Sequence, residues 1–192
     1  MGGVGAAATN SDDRYTFEKV SVWWDLETFK VPNDVDPCHV SANVHSELIR
    51  MNYHGSVSFF CYADVNNLPD SVAIALQSTG VHITHVPVAD DKDVISKRIL
   101  VDMMLWAKDN PAPASYLLIS GGHDFSYGIY RLRLMNYNIL LATQPQNVSL
   151  SLLVATKKLW VWTRLAAGGP SLSDEEYEQL LSEMQAKENS EK

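Results

Sequence analysis

The stretch Val20-Ser21-Val22-Trp23-Trp24-Asp25-Leu26-Glu27 reads as a hydrophobic strand that runs into a carboxylate. A second stretch repeats the design. Leu117-Leu118-Ile119-Ser120-Gly121-Gly122-His123-Asp124 carries a strand through a glycine pair to another aspartate. A third aspartate, Asp102, lies inside the amphipathic run from Ile95 to Trp106. Two of these three acids stand where a strand gives way to a loop. In an open parallel sheet that is where ligands bind. Carboxylates gathered there repel one another unless a cation holds them, and a hard cation such as Mg²⁺ suits them.

Working outward, the periodicity predicts strands at 20–24, 56–63, 81–86, 116–119 and 138–142, with a short edge strand at 160–163. Helices are expected at 41–52, 69–79, 94–108, 125–136, 148–158 and 172–186, and a loop at 29–37. Gly55, Gly80, Asn110-Pro111 and Gly168-Gly169-Pro170 supply the breaks. Strands alternating with helices imply βαβ units, so the expected fold is a three-layer α/β/α domain around a mostly parallel sheet of five to six strands. There is no internal repeat.

The chain has 192 residues, enough for one domain of ordinary size. The expected division is a disordered leader at 1–18, a domain at 19–170 and an acidic helical tail at 171–192. Net charge is −8. The tail from Asp174 holds seven acids and two bases, whereas the core between Val20 and Ser173 carries thirteen acids and eleven bases. The core cations group as Lys92, Lys97 and Arg98, as Arg131 and Arg133, and as Lys157 and Lys158. That fits transient contact with phosphates and excludes a strong duplex binder, which needs many cations on one face. Cys38 and Cys61 show no metal-type spacing and suit a reducing compartment. No apolar run spans a membrane, no secretory signal opens the chain and no targeting tripeptide closes it, so an intracellular, cytoplasmic place is the default.

Each candidate residue has a plainer alternative. Asp25 and Glu27 would share a face if the strand persisted, but strand-end aspartates are often turn residues. Asp102 sits among Val101, Met103 and Met104; it is either a metal ligand or the partner of Arg98, one turn earlier. Asp124 is either a ligand or the cap of the helix beginning at Phe125. Ser120-Gly121-Gly122 is either a phosphate cradle or a simple turn. His82 and His85 fall on opposite strand faces; His123 alone adjoins the strand-end mouth.

The segments Trp24-Asp25-Leu26-Glu27, Lys97-Arg98-Ile99-Leu100-Val101-Asp102-Met103 and Leu117-Leu118-Ile119-Ser120-Gly121 with Asp124-Phe125 resemble the NYN domain. They look most like the plant group related to meiosis arrest female protein and limkain. The resemblance runs from about Lys19 to Pro170. It implies a PIN-like nuclease fold whose clustered acids bind Mg²⁺ or Mn²⁺ and cut RNA, with Asp25, Asp102 and Asp124 matching acids of the pattern. Limkain-type relatives also raise the peroxisome as an alternative location. Three positions depart from the pattern: Ser96 and Gly122 stand where the family commonly has acids, and Thr28 where it has asparagine. Two-metal catalysis needs enough carboxylates to hold both ions, so these losses should weaken it; Asp93 and Asp91 are candidates for partial compensation.

The resemblance therefore implies a metal-dependent endoribonuclease with a partly depleted acidic site, acting on single-stranded RNA and so on gene expression. Asp25, Asp102 and Asp124 would hold the metal, with Glu27 assisting as base. Thr28, Ser96, Lys97, Ser120, Gly121, Gly122, His123 and Arg131 would face the RNA. The alternatives are a domain that binds RNA or a protein partner without cutting, and a nucleotide-binding protein that uses the glycine pair as an anion nest.

Overall fold

The computed structural model describes residues 13–88, 93–122, 124–146 and 148–190. Six strands form one sheet: β1 (Val20–Asp25), β2 (Val57–Ala63), β3 (Val81–His85), β4 (Ser115–Ile119), β5 (Asn138–Thr143) and β6 (Lys158–Val161). Their spatial order is β3-β2-β1-β4-β5-β6, and every pairing is parallel. The chain builds outward from β1 to β3, then crosses to β4 and builds to β6. The order of strands therefore reverses between β1 and β4, and the carboxyl ends there are where an open parallel sheet has its ligand crevice.

The connecting helices are α1 (Pro37–Arg50), α2 (Asp70–Ser78), α3 (Val94–Asp109), α4 (Phe125–Leu134), α5 (Leu150–Ala155), α6 (Trp162–Ala166) and α7 (Asp174–Ser190). Alternation along the strands divides the core in two. Val22, Trp24, Leu117, Ile119 and Leu140 face α1, α2 and α6. Trp23, Tyr62, Tyr116, Leu118 and Leu141 face α3, α4 and α5. Both faces of β1, β4 and β5 are buried, as a sheet covered by helices on two sides requires, while β2 is fully buried only over its last three residues.

Three boundaries differ from the sequence reading. Helix α1 begins inside the expected 29–37 loop, because Pro37 is set for the first turn and Asp36 accepts the Cys38 N–H at 2.9 Å. The expected helix at 148–158 is only α5, capped by Ser149. Lys158 pairs instead with Leu140 as the start of β6, and Trp162 and Thr163, expected in that edge strand, open α6. A short apolar run suits either element until a neighbouring strand decides.

Part of the expected leader lies against the domain. Tyr15 is buried in a 3-10 turn, and its hydroxyl donates to the Asn136 carbonyl at 2.9 Å. The segment also crosses Gly55 so closely that a Cβ there would sit 1.8 Å from the Glu18 carbonyl oxygen. At the other end the acidic helix α7 docks in cis. Tyr177, Leu180, Leu181 and Met184 pack on the core beside α5, and the Tyr177 hydroxyl donates to the Leu153 carbonyl at 3.0 Å. The chain leading to α7 is held by Glu47, which is 2% exposed. Its Oε1 accepts the Trp160 Nε1–H and the Ser171 N–H, each at 3.1 Å. Its Oε2 faces the Arg50 guanidinium, which also donates to the Gly168 carbonyl at 2.6 Å.

Candidate functional site

Asp25 is the last residue of β1, 4% exposed, at the reversal point of the sheet. Its Oδ1 accepts the Thr28 N–H at 3.1 Å. Burial pushes its carboxyl above the ordinary value; the bonds from Thr28 and the Glu27 N–H oppose that rise, and the Glu27 charge adds to it. The turn role and the site position thus coincide in one residue. Thr28 itself is exposed at the rim.

Glu27 goes elsewhere. Because β1 ends at Asp25, strand alternation does not place the two acids on one face. Glu27 Oε2 accepts the Asp64 N–H at 3.4 Å, beside the start of the β2–α2 loop. Asp64 in turn accepts N–H groups of Val88 at 3.2 Å and Asn66 at 3.0 Å, and those bonds hold its carboxyl below the usual range. His85 Nδ1 accepts the Val65 N–H at 3.2 Å. Together these polar groups pin the loops after β2 and β3, and sequence reasoning did not single them out as a set.

Asp102 points from α3 toward the same sheet face as Trp23 and Tyr62. Its Oδ2 accepts the Tyr62 hydroxyl at 3.0 Å and the Arg98 Nε–H at 2.9 Å. The ion-pair alternative is therefore the one realised. Tyr62 was missed, although it is the penultimate residue of β2 and the direct register partner of Asp25, a place where an aromatic hydroxyl needs a partner. Burial first, and the Asp102 charge next, push the Tyr62 phenol well above its usual range.

Asp124 stands exposed at the start of α4 and makes no side-chain capping bond. Ser120 is buried, and its N–H donates to the Ala142 carbonyl at 3.2 Å, so it continues the sheet ladder rather than facing an anion. Gly121 is buried and Gly122 exposed. A Cβ on Gly122 would lie 4.0 Å from Ser96 Oγ and 3.9 Å from Phe125 Cδ2, ordinary contact distances. The two positions that depart from the acidic pattern thus oppose each other across one small gap. Lys97 is exposed on the first turns of α3. Arg131 is not at the crevice; it lies nearly two turns along α4, toward the amino ends of the strands. His123, Asp91 and Lys92 lie outside the described residues.

Among the described residues, no group of three or more His, Cys, Asp or Glu side chains is placed to hold a metal ion. Asp102 Oδ2 is shared between a guanidinium and a phenol, and Asp25 is bound into its own turn. As arranged, Asp25, Asp102 and Asp124 do not fit a two-metal ligand set.

A fully parallel six-stranded sheet with β1 beside β4, flanked by helices and carrying an acid at the reversal point, is a PIN-like nuclease architecture. The model of the NYN domain matches residues 19–161, and the chain belongs to that family. Nuclease-type action on RNA is the class of function that the family carries. No curated protein matches the chain closely enough to count as a relative. Among the described residues, no helix is long and apolar enough to cross a membrane.

Proposed function

We propose that the protein acts on RNA at the crevice between β1 and β4, as a member of the metal-dependent endoribonuclease family whose acidic centre is partly depleted and whose phosphodiester hydrolysis is slow. The observation that carries this reading is Asp25, a buried carboxylate kept at the reversal point of the sheet despite the cost of its desolvation. Thr28, Ser96, Lys97 and Gly122 would border a single strand there. Mg²⁺ or Mn²⁺ would be the cation, held weakly. Engagement of Asp102 by Arg98 and Tyr62, with Ser96 and Gly122 uncharged, supports a weakened hold on the paired ions that favour in-line attack, and so a slow reaction.

A second reading, binding of RNA without cleavage and control of gene expression by occupancy, is favoured by that same engagement of Asp102. The test is a ribonuclease assay on single-stranded RNA with Mn²⁺ or Mg²⁺, with EDTA and Asp25→Ala as controls. Slow cleavage that needs the metal and Asp25 supports the first reading. Cleavage gained only in the Ser96→Asp, Gly122→Asp double variant supports the second. Cleavage by wild type that persists in EDTA refutes the metal mechanism.

A further inference from the structure

Helix α4 carries two opposite stripes. Phe125, Ile129 and Leu132 are fully buried. Tyr127, Tyr130, Arg131 and Leu134, at the i, i+3, i+4 and i+7 positions, form the outward stripe. The rings are 71% and 53% exposed, and neither makes a hydrogen bond or an aromatic contact among the described residues. Solvent-facing helix stripes are normally polar, so a pair of bare tyrosines needs an occupant. Helix α4 also starts directly after Asp124, which places Tyr127 about one turn from the crevice.

Charge identifies the occupant. The only charged residues of α4 are Arg131 and Arg133. Gly128 lets α3 approach so closely that a Cβ there would be 2.6 Å from Leu100 Cδ2. The exposed stripe of α3 alongside reads Lys97, Val101, Leu105 and Lys108. A chain of net charge −8 thus presents here two stripes whose charged side chains within the helices are all basic, with the exposed acids Asp93 and Asp124 confined to the caps at their crevice ends. A second copy docking face to face would set like charges together. A single-stranded polyanion with flat aromatic bases meets both features at once. The axial rise from Tyr127 to Tyr130, about 4.5 Å, exceeds the roughly 3.4 Å between stacked bases, so each ring can take one base of a slightly opened strand.

We infer that the outer stripe of α4 is a stacking platform for single-stranded RNA, with bases on Tyr127 and Tyr130 and a phosphate on Arg131, leading the strand away from the crevice. This rests on the reading that the protein acts on RNA, and it adds the surface by which the strand is held. The recognition is sequence-tolerant, since every base offers a π-face.

The test is fluorescence anisotropy of a labelled short oligouridine with the full chain in EDTA, so that cleavage plays no part. Replacing both tyrosines by leucine should weaken binding about tenfold or more for each ring, while replacing both by phenylalanine should leave it near wild type. Arg131→Gln should weaken binding and flatten its salt dependence. Because both rings are exposed, the fold should tolerate each change, and the thermal melt checks that it does. Wild-type affinity in the leucine pair overturns the platform while leaving RNA action intact. A wild-type dimer that dissociates in the leucine pair, with RNA affinity unchanged, assigns the face to self-association and also overturns it. Failure of wild type to bind RNA at all removes the functional reading and the platform together.

Discussion

Replacing Glu47 by alanine should unfold the protein well before replacing it by glutamine does. The carboxylate is 2% exposed and bridges three segments: Trp160 in β6, Ser171 on the way to α7, and Arg50 in its own helix. Alanine strands the Trp160 Nε1–H and the Ser171 N–H, and each orphaned buried donor costs about 1–3 kcal/mol. Taken together the loss is about 4 kcal/mol, which for a chain of this length lowers Tm by about 8–16 °C. Glutamine keeps an amide oxygen in the place of Oε1. It gives up the attraction to Arg50 and turns an amide NH2 toward that guanidinium, but the Arg50 side chain is 54% exposed and free to turn into water, so the loss is about 1 kcal/mol. Its Tm should fall by less than about 4 °C. Scanning calorimetry of the two variants beside wild type measures both numbers. Equal losses for alanine and glutamine would refute the reasoning, because they would place the stabilisation in the charge pair instead of the two bridging bonds.

Arg98→Leu should raise affinity for Mn²⁺ a few-fold by releasing Asp102 Oδ2, and Asp102→Asn should show no gain; paramagnetic resonance titration reads both, and unchanged affinity in Arg98→Leu would sink the idea that this ion pair withholds the acid. Asp25 has a folded-state pKa above its ordinary 3.8, so its contribution is fully present below that value and is lost as pH rises through the folded pKa. Asp25→Asn should therefore gain stability relative to wild type as pH rises from about 4 to 7 in urea unfolding, while losing any cleavage; a constant difference across that range would count against the burial argument. Gly55→Ala should fold poorly, since its Cβ would strike the Glu18 backbone, whereas Gly122→Ala should melt within about 2 °C of wild type. Circular dichroism melts compare the two, and tolerance of Gly55→Ala would mean that the segment before β1 is not held across it.

The sheet was legible because five of its strands are apolar runs bounded by clear breaks, and burial on both faces leaves such a run little choice of structure. The region from Val148 to Ala166 was not, since its short apolar pieces suit helix and strand alike and pairing with β5 decides. The start of α1 was placed four residues late, at Ser41, because Pro37 was taken as a loop marker when it follows the capping Asp36 and suits the first turn. The candidate site was legible in part. Aspartates at strand ends mark the crevice, and Arg98 one turn from Asp102 was among the partners considered. Tyr62, Asp64 and Glu47 were not found, because each acts through a partner far away in sequence. Arg131 was offered as a contact for the RNA backbone, and the direction of α4 sets it nearly two turns from the crevice.

The opposition of Ser96 and Gly122 has a bearing on descent. Neither position is fixed by the backbone: Gly122 has an ordinary φ and room for a side chain, and Ser96 lies on a helix. An acid at either one alone would meet a hydroxyl or a bare backbone across the gap, never a second carboxylate. A lineage could pass between a cutting and a holding protein through single substitutions, each intermediate folding as well as its parent. If the site acts on RNA as proposed, these two positions would let cleavage be tuned by substitution while the scaffold is inherited unchanged.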